Sequence, residues 1–273
     1  MKVVDSLVEL IRQTSSSLPD DVGRALKAAL RREERGSSAA LVLQTVLDNC
    51  RQARRASTPL CQDTGTLTFF VDEKLRRRVT PRTIKTATAI ATERGYLRRN
   101  CIDSVSGKSY DDNCADGAPV VHYVARPGVT LLMKGGGSEN MSRQYSLPDA
   151  ALGAGRDFEG VRKCVLDAVH RAQGYGCAPG ILGVCIGGDR ATGFETAKEQ
   201  LLRPLADRAP GELGRLERRL LAESNTLGIG PMGLGGKTTL LGVKVAARPR
   251  VPASFFVTVA YMCWACRRRS ISL

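Results

Sequence analysis

The chain has 273 residues, 42% of them hydrophobic, and 41 lysines and arginines against 27 acidic residues, a formal charge of +14. That length suffices for one large core or two small ones, and no run of about 18 apolar residues marks a membrane span. The basic clusters at Arg51–Arg55, Lys74–Arg78, Arg98–Arg99, Arg215–Arg219 and Arg267–Arg269 are scattered and lack interleaved aromatics, so nucleic acid is not expected as a partner.

Residues 1–56 read as a helical subregion. Val3, Val4, Leu7, Leu10 and Ile11 recur at helical spacing. Pro19-Asp20-Asp21 opens a second helix with acidic residues in its first turn, and Gly36 ends it. Ala40, Leu43, Val46, Leu47 and Cys50 form a third apolar stripe, which makes Cys50 a core residue. Asp5, Glu9 and Arg12 interrupt the first stripe, so it does not read as a signal peptide and a cytoplasmic protein is expected.

From residue 57 to 273 the pattern becomes mixed. Thr66–Val71 predicts a strand, Pro81–Arg94 a helix, residues 103–118 a polar loop, and Val120–Val124 and Val129–Met133 two strands. Helices are predicted over Val161–Gln173, Ala191–Leu202 and residues 211–224, an apolar segment leads in from Ile181 to a strand–loop junction at Cys185, and strands are predicted over Leu240–Ala246 and Ser254–Tyr261, with order ending at Met262–Cys266. The fold class is therefore α+β: a helical N-terminal part, then a mixed α/β region, read as one domain over 1–273.

Nine cysteines, an odd number, argue against a disulfide framework and for metals, chemistry or small buried fillers. Cys61, Cys185 and Cys263 share a setting at predicted strand–loop junctions beside polar or glycine-rich residues. Cys185 precedes Gly187-Gly188 and a helix start, where main-chain N–H groups stabilise a thiolate. Three thiolates on a four-iron cluster leave one iron open as a Lewis acid; spacing alone does not establish such a cluster. Cys61-Gln62-Asp63-Thr64-Gly65 packs thiol, amide, carboxylate and hydroxyl into one turn, a composition that turns also use to satisfy their own backbone. Lys134-Gly135-Gly136-Gly137 suggests an anion nest or a flexible hairpin end. Gly235-Gly236-Lys237-Thr238 is not a P-loop, since Pro231 stands where that motif needs glycine and a strand follows. Cys263-x-x-Cys266 lacks a second half for a zinc site.

Pro59–Gly65, Lys134–Ser142, Cys185–Gly188, Gly228–Thr239 and Ala253–Trp264 resemble, in order and over nearly the whole chain, the iron–sulfur class I fumarases and the α subunit of L(+)-tartrate dehydratase. The resemblance implies a [4Fe–4S] cluster held by Cys61, Cys185 and Cys263, with one open iron for the hydroxyl and a carboxylate of a small dicarboxylate that is hydrated or dehydrated. It implies Asp63 as proton carrier and Gln62 as a substrate hydrogen-bonder. Arg98 would clamp a carboxylate, with Lys134 and the N–H groups of Gly135, Gly136 and Gly137 receiving other oxygens. It also implies a β subunit, hence a hetero-oligomer, because the sequence stops ten residues after Cys263. Fumarate/malate is the expected substrate pair, with tartrate the alternative. A catalytically degraded iron–sulfur or binding protein is a third reading, raised by two departures: Val251 where the family often has histidine, and Asp116-Gly117-Ala118-Pro119 for a common Asp-Asn-Thr-Pro.

Overall fold

The computed structural model describes residues 3–273. In chain order the elements are α1 (Val3–Ser16), α2 (Asp20–Arg32), α3 (Ser38–Ala56), β1 (Thr66–Asp72), α4 (Pro81–Glu93), β2 (Cys101–Ile102), β3 (Ser109–Tyr110), β4 (Val120–Val124) and β5 (Val129–Lys134). There follow the short α5 (Gly136–Glu139), β6 (Arg143–Ser146), α6 (Phe158–Ala172), β7 (Gly180–Gly187), α7 (Arg190–Gln200), α8 (Gly211–Thr226), β8 (Leu240–Arg248), β9 (Phe256–Met262) and β10 (Arg267–Ile271). Helices and mixed sheets together confirm the α+β reading.

Two compact units result. One holds the described residues up to Pro19, Asp48–Gly136 and Ala265–Leu273; the other holds Asp20–Leu47 and Gly137–Trp264. The helical opening is thus shared out: α1 belongs to the first unit, α2 to the second, and α3 runs through the boundary.

The first unit is built on a four-stranded sheet in the order β10-β5-β1-β4, with β1 parallel to β4 and antiparallel to β5. Leu67, Phe69, Val71, Leu131 and Met133 alternate onto one face and share a core with Leu7, Leu10 and Ile11 of α1 and Ile84, Ala87 and Ala91 of α4. Helix α4 starts where expected because Thr80 caps it: its hydroxyl accepts the Thr83 N–H, the Thr83 hydroxyl accepts the Thr80 N–H, and Pro81 follows. The polar stretch after Cys101 is mostly loop, pinned by the two-residue pairing of β2 with β3. Strand β10 was not expected. Its Arg267-Arg268-Arg269 has no apolar alternation, yet it pairs antiparallel with β5 at the sheet edge, where charged residues are common.

The second unit carries a four-stranded sheet in the order β6-β9-β7-β8. Val161, Val165, Val169 of α6 and Leu216 and Leu220 of α8 pack on Leu182, Val184, Val243, Val257 and Val259. Cys164 is one of these fillers: burial pushes its thiol up to about 12. Helix α7 packs against β7 and β9, and it comes close because Gly183 has no side chain; a Cβ there would stand 1.9 Å from the Ala197 carbonyl oxygen.

Candidate functional site

In the first unit the Cys61–Gly65 turn is held from several directions. The Leu60 N–H donates to the Ser15 carbonyl at 2.9 Å, and Asn49 Nδ2 donates to the Leu60 carbonyl at 2.9 Å. The half-buried Cys61 Sγ accepts the Asp63 N–H at 3.4 Å. The buried Thr64 hydroxyl donates to the Arg98 carbonyl at 2.7 Å and accepts the Arg98 N–H at 3.0 Å. Thr64 therefore fixes the backbone of Arg98 while leaving that side chain exposed. Gln62 is exposed as well.

Two glycines let the turn meet the end of β5. Gly65 has φ +73°, and a Cβ there would fall 2.2 Å from the Lys134 carbonyl oxygen; a Cβ on Gly135 would lie 2.8 Å from Asp63 Oδ2. The Asp63 carboxylate thus rests on the bare backbone of Gly135. Lys134 is buried at the strand end. The three glycines are not an extended loop: Gly136 and Gly137 begin α5. Asp63, Gly65, Asn100, Asn113 and Gly136 line a cavity of about 270 Å³. Ala118 and Pro119 line it too, so that departure from the family pattern falls at the site, whereas Val251 is exposed.

Asn113 and Asn100 belong to this site although sequence reasoning missed them. Asn113, buried at φ +60°, accepts the N–H groups of Asn100 and Cys101 at 2.9 and 3.2 Å and donates to Thr92 Oγ1 and the Arg98 carbonyl at 3.1 and 3.0 Å. The Asn100 amide oxygen, assigned from its neighbours, accepts the Gly65 and Thr64 N–H groups at 3.0 and 3.2 Å. The available signal was an asparagine in a polar loop, which tolerates positive φ.

In the second unit the structure does not set Cys185 opposite Cys263. Strands β7 and β9 run antiparallel with Ile181 opposite Met262 and Cys185 opposite Thr258. Cys185 is therefore five residues beyond the position facing Cys263, about 16 Å along the strands at ~3.3 Å per residue. Its side chain is fully buried, and that burial raises its thiol pKa, with a Thr196 hydrogen bond opposing. The helix start that was to stabilise it is occupied by Asp189, whose carboxylate accepts the Ala191 and Thr192 N–H groups at 2.8 and 3.0 Å. Cys177 is the cysteine brought to Cys263. It caps a short helical turn at φ +51°, and its carbonyl accepts the Trp264 N–H at 3.2 Å. Tyr261 lies beside both: burial first, then the charges of Cys263 and Cys177, raise its phenol pKa. The signal missed was Gly176-Cys177-Ala178-Pro179 leading into the apolar run of β7.

Among the described residues no three His, Cys, Asp or Glu side chains are gathered around a single-ion site. A four-iron cluster presents each thiolate with its own iron, which spreads its ligands wider than one ion does. The soft thiol donors of Cys177 and Cys263 suit such a group.

One carboxylate, Asp63, lines this small cavity together with Asn100 and Asn113, while Cys61 and the backbone-anchored Arg98 adjoin the same turn. The chain belongs to the fumarate hydratase (Fumerase) family, which it matches over residues 4–272. It is 47% identical over its full length to a provisionally named class I fumarate hydratase of Geobacillus stearothermophilus, of which it spans 55%. It is 32% identical to a provisionally named L(+)-tartrate dehydratase subunit alpha of Methanocaldococcus jannaschii, over 98% of this chain and 96% of that one. With the L(+)-tartrate dehydratase subunit alpha of Escherichia coli K12 it shares 30% identity, over 99% and 90% of the respective lengths. Class I fumarate hydratases are iron–sulfur enzymes. No helix of the described residues is long and apolar enough to cross a membrane.

Proposed function

We propose that this chain is the cluster-bearing part of a cytoplasmic iron–sulfur hydro-lyase that adds water to, or removes it from, a small dicarboxylate, with fumarate and malate as the substrate pair. The observation that carries the reading is the seating of Asp63 on Gly135, beside Cys61 and over a cavity of about 270 Å³. The ligands we assign are Cys61, Cys177 and Cys263, with Cys177 replacing Cys185.

When bound, a [4Fe–4S] cluster supplies a Lewis-acidic iron for the substrate hydroxyl and an adjacent carboxylate. In dehydration Asp63 takes the proton from the carbon next to the one that loses hydroxide; in hydration it returns it. Its carboxylate is held for that task by close packing on Gly135, which limits the directions it can face. Arg98, fixed at its backbone by Thr64 and Asn113, presents its guanidinium to a substrate carboxylate in a two-pronged contact. Gln62 hydrogen-bonds the substrate. The Gly135, Gly136 and Gly137 backbone receives remaining oxygens, and Lys134 contributes field from its buried position.

We further propose that a β-type chain or domain completes the active site. The alpha-subunit relatives, which this chain matches nearly end to end, support that and also favour tartrate as the second candidate substrate. The test is anaerobic cluster reconstitution followed by assay on malate, fumarate and L(+)-tartrate, with and without a β-type partner. Turnover only with the partner, and on malate and fumarate ahead of tartrate, is the expected result. Full activity of the chain alone rejects the need for a partner; a cluster-loaded pair inert on all three acids rejects the hydro-lyase reading in favour of a binding protein on this scaffold.

A further inference from the structure

Arg267 is among the largest fully buried side chains, 1% exposed, at the start of the unexpected strand β10. One of its nitrogens, Nη2, donates to the Asp63 carbonyl at 2.8 Å. Its Nε and Nη1 are buried and meet no acceptor among the described residues. A guanidinium cannot escape this by losing its proton. An unpaired buried charge of this kind is strongly unfavourable, so a buried arginine without a carboxylate is an arginine built to face some other anion.

The surroundings within the same unit say which anion. The residue whose carbonyl Arg267 holds is Asp63, and the Asp63 N–H in turn points at the sulfur of Cys61. The arginine thus holds the carbonyl of the residue whose N–H meets a thiol assigned as a cluster ligand. The thiolates and sulfides of a three-cysteine cluster are negative overall, and buried positive charge and N–H donors near them favour the reduced cluster.

We infer that Arg267 is the internal counter-charge of the iron–sulfur centre: it props the Cys61–Asp63 turn through the Asp63 carbonyl and offsets the charge of the cluster, raising its reduction potential and its retention. This rests on the cluster reading given above, and it makes Arg267 a positioning residue, since nothing places it against the reacting atoms.

The test uses the full chain as parent, Arg267→Met and Arg267→Lys, each metal-free and after anaerobic reconstitution. Thermal unfolding is followed in both forms, and an anaerobic redox titration monitored by electron paramagnetic resonance is run on the loaded form. Metal-free Arg267→Met should be at least as stable as the parent, because a buried unpaired cation has gone. Loaded Arg267→Met should be less stable than loaded parent, lose its iron faster to a chelator, and have a lower reduction potential, with Arg267→Lys falling between. Equal destabilisation of Arg267→Met in both forms, with an unmoved potential, would show that Arg267 is only a prop and would overturn the inference while leaving the cluster intact. An unchanged potential accompanied by loss of malate binding would assign the arginine to a substrate carboxylate, and overturns it too. A parent that takes up no cluster under any reconstitution would sink the cluster reading and this inference together. Should Arg267→Met fail to fold, the potential and chelator comparison of parent with Arg267→Lys still decides.

Discussion

Replacing Cys177 with alanine should abolish cluster uptake, whereas the same change at Cys185 should leave it intact. Because β7 and β9 pair with Ile181 opposite Met262, Cys185 is displaced from Cys263 by about 16 Å along the strands, at ~3.3 Å per residue. No side-chain rotation spans that distance, and shifting the register by one residue would turn the whole buried face of β7 outward. Cys177, in contrast, is tied to the residue after Cys263 by the Trp264 N–H. Cys185→Ala removes one sulfur from a fully buried position, for which a loss of roughly 1 kcal/mol is expected, by analogy with deleting one buried methylene. That corresponds to a fall of about 2–4 °C in the melting temperature for a domain of this size class. Iron and sulfide content after anaerobic reconstitution, with the visible absorption of the cluster, is the assay. Cys61→Ala and Cys263→Ala should behave as Cys177→Ala, and Cys266→Ala as Cys185→Ala. A Cys185→Ala protein that folds but holds no iron, alongside a Cys177→Ala protein loaded like the parent, would refute the reasoning.

Gly135→Ala should fold but push Asp63 away, since the new Cβ would stand 2.8 Å from Oδ2; a drop in kcat on the order of 100-fold with the cluster retained is expected for a shift of about 1 Å, and unaltered kcat counts against Asp63 as proton carrier. Gly65→Ala meets main chain, with its Cβ 2.2 Å from the Lys134 oxygen at φ +73°, so denaturant unfolding should show a loss of at least about 2 kcal/mol. Asn113→Ala removes three hydrogen bonds to the Arg98–Cys101 backbone and one to Thr92; a loss of roughly 2–4 kcal/mol with a raised KM is expected, and an unchanged KM would detach Arg98 from substrate binding. Lys244, buried with its ammonium on the Leu205 and Asp207 carbonyls, has its pKa lowered from 10.5 to about 8, chiefly by burial. A lowered lysine pKa means the unfolded chain binds the extra proton across that window, so the Lys244 contribution to stability is least below about pH 8 and improves as pH rises towards 10.5. Unfolding of parent and Lys244→Met should therefore diverge in the parent's favour between those values, by a few kcal/mol at most; a flat difference would show the ammonium to be well solvated.

Much was legible from the sequence because it depends on neighbours in the chain. The stripes of α1, α2 and α3, the Thr80-Pro81 start of α4 and the Gly187-Gly188 turn into α7 all follow from periodicity, capping and backbone freedom. The Cys61–Gly65 turn was also visible as a concentration of chemistry. Only the tertiary structure decided which cysteine faces Cys263, because strand register is set by packing between segments 80 residues apart, and local context makes Cys185 look better than Cys177. The same holds for β10 and Arg267: three successive arginines read as solvated chain until pairing with β5 buries the first of them. The partners of Thr64, Asn100 and Asn113 were hidden for that reason as well. Their hydrogen bonds join residues far apart in sequence, and a polar side chain in a loop carries no local mark of the partner that will bury it.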